Sequence, residues 1–123
     1  MARILVIDDN SDIRYILNEI LADNGHTVSS ADDGKIGMAL MDSNQYDLIM
    51  TDIVMPNMDG IEVITEIKKK LSNVKLIAMT GGSLKLDKKF LVTITTAMRV
   101  DKVITKPFDI REVQEIVNGL LKV

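Results

Sequence analysis

Asp47-Leu48-Ile49-Met50-Thr51-Asp52-Ile53-Val54-Met55-Pro56-Asn57-Met58-Asp59-Gly60 is the stretch on which the fold turns. Its first half is a short apolar run of the kind buried as a strand. Asp52 stands where that run ends. Residues 55–60 read as a turn that leads into a helix. An acid at the C-terminal edge of a buried strand occupies the place where open α/β sheets bind ligands. The elements on either side are therefore expected to deliver partners to Asp52.

Upstream, Ile4-Leu5-Val6-Ile7 is uniformly aliphatic, the mark of a strand covered on both faces in a parallel sheet. It ends in Asp8-Asp9-Asn10. Ile13, Ile16, Leu17, Ile20 and Leu21 recur at helical spacing, with Ser11 or Asn10 as cap and Gly25 as the stop. His26 follows in a loop and reads as a surface residue. Thr27–Ala31 is a more polar strand, suited to a sheet edge. Asp32-Asp33-Gly34 is a turn, and Ile36–Met41 a short helix that ends near Asp42-Ser43-Asn44. The Asp47–Asp52 strand comes next.

Downstream, Ile61, Ile64, Ile67 and Leu71 signal a helix from Asp59. Lys68, Lys69 and Lys70 close it, where positive charge suits the helix dipole. Their simplest reading is a solvated helix end. Val74–Met79 is a strand that stops at Thr80, and Gly81-Gly82-Ser83 is a loop. Phe90, Leu91, Ile94, Ala97 and Met98 fall at helical spacing, although the five β-branched residues from Val92 to Thr96 favour a strand. A helix less stable than its neighbours is expected there. Lys102–Thr105 is the last strand and ends at Lys106-Pro107-Phe108. Asp109 and Glu112 have capping-box spacing ahead of an amphipathic terminal helix. Strand and helix thus alternate five times, which predicts a doubly wound parallel sheet. Periodicity leaves the strand order open.

Composition narrows the function. A chain of 123 residues suits one domain, residues 1–123. Apolar residues make up 46% and aromatics only 3%, so Ile, Leu, Val and Met must fill the core; Met38, Met41, Met50, Met79 and Met98 read as filling. A net charge of -3 with scattered basic residues argues against direct nucleic-acid binding. The absence of cysteine excludes thiol chemistry and cysteine metal sites, and a single histidine excludes a histidine-rich zinc site. No apolar run approaches the ~20 residues that span a bilayer. With no signal-peptide pattern, a soluble cytoplasmic protein is expected.

Polar residues stand where four strand runs stop: Asp8-Asp9, Asp52, Thr80 and Lys106. In a parallel sheet these ends share one edge. Three carboxylates meeting there repel one another and call for a cation. Magnesium fits best, because it takes carboxylate oxygens, keeps waters and leaves positions for phosphate. One acid alone would read as a helix cap or a solvated loop end. Acids at two strand ends, with a hydroxyl and a lysine at two others, do not.

With Asp8-Asp9, Asp52, Met55-Pro56, Asp59-Gly60, Thr80 and Lys106-Pro107-Phe108 in this order, the whole chain resembles the receiver domain of two-component response regulators (CheY-like). The resemblance implies a five-stranded (βα)5 flavodoxin-like fold with strand order 2-1-3-4-5. It implies that Asp52 is the phosphoacceptor, a carboxylate nucleophile. Asp9 and Asp52 would bind Mg2+ directly, Asp8 directly or through water, and the Val54 carbonyl would be a further ligand, with Mn2+ able to stand in. Lys106 and the metal would neutralise the transferring phosphoryl group. Thr80 would bond a phosphoryl oxygen, and the Gly81 backbone N–H could add another bond. The peptide bond before Pro107 would be cis.

The implied donor is a histidine kinase or histidine phosphotransfer protein. Output would go through an unidentified target protein or by onward relay, with no direct contact to nucleic acid or membrane, as a monomer or weak dimer. Such a domain is a signalling phosphoacceptor that catalyses only its own phosphorylation and dephosphorylation. Met1 is a plausible initiator and the chain ends with its last helix, so a stand-alone receiver is expected, with a piece of a larger regulator or hybrid kinase as the alternative. Two other functions share the acids. A magnesium-dependent phosphohydrolase with an aspartate nucleophile usually needs a second acid two residues on, where Val54 stands. A pseudo-receiver would bind partners without phosphorylation, yet every reactive residue is present.

The chain departs from the family in two places. Many receivers carry Tyr or Phe three positions before the lysine, where Val103 stands here. A relay through the loop after Thr80 and the helix behind it is expected instead, since glycine is permissive and that helix has low propensity. Val54 and Gly82 offer no side chain to orient an attacking water, which predicts slow self-dephosphorylation.

Overall fold

The computed structural model describes residues 1–53, 60–71, 73–80 and 96–122. Strands β1 (Arg3–Ile7), β2 (Thr27–Ala31), β3 (Leu48–Asp52), β4 (Lys75–Thr80) and β5 (Lys102–Thr105) form one sheet in the order β2-β1-β3-β4-β5. Every pairing is parallel. Helices α1 (Ser11–Asp23), α2 (Gly34–Ser43), α3 (Gly60–Lys70) and α4 (Ile110–Leu121) cover its two faces. The helix expected over 90–98 falls outside the described residues up to residue 95.

Alternation along the strands builds two cores. Leu5, Ile7, Ile49, Leu76 and Ala78 pack with Val63, Ile64 and Ile67 of α3 and Met41 of α2. Ile4, Val6, Leu48, Met50, Ile77 and Met79 pack on the other face with Leu17 and Leu21 of α1 and Val113 and Val117 of α4. This is why the central strands β1, β3 and β4 are buried along nearly their whole length while the edge strand β2 is more polar and more exposed. Met41, Met50 and Met79 are buried, and Met38 and Met98 pack against the core from partly buried positions. Among the described residues no helix is long and apolar enough to cross a membrane.

Helix starts follow the sequence signals. Asn10, and not Ser11, caps α1: its side chain accepts from the Asp12 and Ile13 N–H groups. Asp33 and Asp109 do the same for α2 and α4 through the Ile36 and Arg111 N–H groups. Gly25, just past α1, has φ 87°, the left-handed region that glycine enters without strain. β3 begins at Leu48 and not Asp47, whose carboxylate instead accepts the Arg3 N–H at 2.8 Å.

His26 is buried, at 7% exposure, and is not the surface residue its loop position suggests. The turn after α1 folds it against the N-terminal edge of the sheet. Its N–H donates to the Leu21 carbonyl, and its Nδ1 accepts from the Ala2 N–H at 3.1 Å. Its Nε2 and the Tyr46 hydroxyl are buried polar atoms with no hydrogen-bond partner among the described residues.

Candidate functional site

Register brings the polar strand ends together. Ile7 lies opposite Thr51, Met79 opposite Asp52 and Thr105 opposite Thr80. All strands run the same way, so Asp8, Asp52, Thr80 and Lys106 emerge along one edge of the sheet. The edge is dry at its base. Asp8 is fully buried, Asp52 and Thr80 are 6% and 5% exposed, and Asp9 opens to solvent.

Asp8 is held at every polar group. Its N–H donates to the Ala31 carbonyl at 3.1 Å. Its Oδ1 accepts the Asn10 N–H at 2.9 Å, and its Oδ2 accepts the Lys106 ammonium at 2.5 Å. Its carbonyl accepts from the Arg14 guanidinium at 2.7 Å. Lys106 also reaches Asp52 Oδ2 at 2.9 Å, so one ammonium bridges both buried carboxylates.

Burial pushes the Asp8 carboxyl above its ordinary range, although the bonds from Lys106 and from the Asn10 backbone oppose the rise. For Lys106, burial alone would ease the proton off. The hydrogen bonds to Asp8 and Asp52 outweigh it and hold the ammonium above the ordinary lysine value. The lysine is therefore charged at any physiological pH.

Asp8, Asp9 and Asp52 each offer a carboxylate oxygen, and these oxygens lie within 4.8 Å of one another. The donor set is all oxygen and carries an excess of negative charge, which suits a hard divalent cation. Two ligands are walled in and one faces solvent, so a cation held there would keep water on its open side. Such a site can gather negative charge, offer Asp52 as an oxygen nucleophile and balance an incoming anion with Lys106.

The structure brings together Asp8, Asp9, Asp52 and Lys106. Thr80 ends β4 on the same edge, its carbonyl accepting the Lys106 N–H at 2.8 Å. The Lys106–Pro107 peptide bond is cis. Val54 and Gly81 lie outside the described residues, as do Gly82 and the loop after Thr80. Val103 is half-buried and packs against the α2–α3 core. Arg14 belongs to no motif around the acids. Its one sequence signal is a cation in the opening residues of α1, the end where the helix dipole favours anions.

The chain belongs to the response regulator receiver domain family, which it matches over residues 4–118. It is 32% identical over 122 residues to sporulation initiation phosphotransferase F of Bacillus subtilis, covering 97% of this chain and 93% of that one. It is 30% identical over 120 residues to the alkaline phosphatase synthesis transcriptional regulatory protein PhoP of the same organism. That match covers 98% of this chain and 48% of PhoP, so the chain spans about half the length of such longer relatives. Among solved structures, response regulator TrrA of Thermotoga maritima, in complex with Mg(2+)-BeF, superposes with a TM-score of 0.83 at 33% identity, covering 98% of this chain and 99% of that one. The chemotaxis protein CheY4 of Vibrio cholerae, at 22% identity, has a TM-score of 0.88 over 98% of each chain and bears on the fold alone.

Proposed function

We propose that Asp52 accepts a phosphoryl group from the phosphohistidine of a histidine kinase or phosphotransfer protein, with Mg2+ held by Asp8, Asp9 and Asp52. The observation that carries this reading is the single ammonium of Lys106 bridging Asp8 and Asp52. A cation fixed between two buried carboxylates is already in place when a third anion arrives. An Asp52 oxygen attacks phosphorus, the P–N bond of the donor breaks, and the histidine nitrogen keeps the electron pair. Lys106 offsets the charge that accumulates on the phosphoryl oxygens. Thr80, one strand over, offers a hydroxyl to one of those oxygens, with the Gly81 N–H as a second donor and the Val54 carbonyl as a further metal ligand. The bound metal supplies additional charge neutralisation and a template for the phosphate. The solvent-facing side at Asp9 is the open approach for the donor. Output follows by conformational change or by onward relay to another histidine.

The test is incubation with Mg2+ and acetyl phosphate followed by intact mass measurement. One phosphoryl adduct on the wild type, lost in Asp52→Asn, is the expected result. Turnover of acetyl phosphate with no lasting adduct would favour a phosphohydrolase. Absence of both adduct and turnover would leave a binding module and overturn the proposal.

A further inference from the structure

We propose that Arg14 is a positioning residue that sets Asp9 in place for the metal. The inference rests on reading Asp8, Asp9 and Asp52 as the cation site. Asp9 is exposed, and its carboxylate makes no hydrogen bond or ion pair among the described residues. Its position beside Asp8 and Asp52 must therefore come from its backbone. The peptide plane that carries Asp9 is the one whose carbonyl belongs to Asp8. That carbonyl accepts from Arg14 Nη1 at 2.7 Å. Because the peptide is planar, holding the carbonyl fixes the direction in which the Asp9 Cα leaves Asp8. The Asp8 side chain is independently tied by Asn10 and Lys106, and its N–H by Ala31, so Arg14 completes a rigid mount.

The placement has a cost that calls for a reason. Arg14 lies near the start of α1, where the dipole disfavours a cation, while the nearby Asn10 and Asp12 obey the ordinary rule for that end. Its positive charge also stands close to a site for a divalent cation, which by itself weakens metal binding. Charge and geometry thus predict opposite outcomes when Arg14 is removed. Loss of charge alone tightens Mg2+ binding. Loss of the mount weakens it, in the way that groups behind metal ligands typically cost ten- to hundred-fold in affinity.

Mg2+ titration of the full chain, followed by NMR of the backbone amides, separates these outcomes. Arg14→Met is expected to weaken Mg2+ binding by about ten-fold or more at temperatures where the variant is folded in chelator. In an Asp9→Asn background the same substitution should cost nothing further, because the residue it positions is no longer a full ligand. Unchanged or tighter Mg2+ binding by Arg14→Met overturns the inference. So does an undiminished loss in the Asp9→Asn background. If Arg14→Met fails to fold, Arg14→Gln is measured by the same criteria. Failure of the wild type itself to bind Mg2+ overturns the proposed function and this inference together, which distinguishes it from failure of Arg14 alone.

Discussion

Asp8 carries its charge in the least accessible part of the site, at 0% exposure. Burial raises its pKa above the ordinary value of 3.8. The sign follows from linkage: the folded state holds this proton more tightly than the unfolded chain does. The stabilisation is complete below the ordinary value and is lost as pH rises through the folded one. Once pH has risen through that folded value, the ionised Asp8 is a cost to the fold, borne at a residue of the proposed metal site. Asp8→Asn in chelator is expected to be more stable than wild type at neutral pH, with the gap closing as pH falls toward the ordinary carboxylate value. Thermal melts at several pH values check this, and a less stable Asn variant at neutral pH contradicts it. Lys106 has the same sign in the alkaline range. Its contribution is complete below the ordinary lysine value of 10.5 and is lost as pH rises through its higher folded value.

At the scale of elements, two helical glycines separate packing from propensity. A Cβ on Gly37 of α2 would lie 2.6 Å from Ile7 Cδ1, on a residue of β1 with 0% exposure. Overpacking of that kind costs about 1–3 kcal/mol, against about 1 kcal/mol gained from alanine's helix propensity. Gly37→Ala should therefore destabilise by about 1 kcal/mol. A Cβ on Gly119 of α4 meets nothing within 4 Å, so only the propensity gain remains. Gly119→Ala should stabilise by about 0.5–1 kcal/mol. Urea unfolding of both variants tests the pair, and equal signs would refute the argument. The close approach at Gly37 lets α2 lie against β1, immediately before Asp8.

At the scale of the molecule, the proposed metal couples the site to global stability. Whatever binds only the folded state stabilises it by mass action, about 2.7 kcal/mol at a hundred times the dissociation constant. Adding Mg2+ to chelated protein should raise the thermal midpoint by several degrees, and Asp9→Asn should lose most of that rise. A midpoint indifferent to Mg2+ would count against the site. The coupling runs through the sheet itself, because the acids and the lysine stand at the ends of β1, β3 and β5, and β4 joins β3 to β5.

The sequence by itself determined the five strands, the four helices among the described residues, and the acids and lysine of the site. Uniform aliphatic runs such as Ile4–Ile7 and helical repeats such as Val113 and Val117 are local signals, and strand ends marked by Asp8, Asp52 and Lys106 are visible as breaks in them. Burial of His26 was not legible, because it depends on Ala2, 24 residues away along the chain. Nor was the role of Arg14, whose bond to the Asp8 carbonyl exists only once α1 has turned back over the end of β1. The bridge from Lys106 to Asp8 and Asp52 spans 98 and 54 residues. Periodicity reports which residues are buried, since each element carries its own apolar face. Which polar groups meet is decided by strand order and register, and those are properties of the assembled sheet.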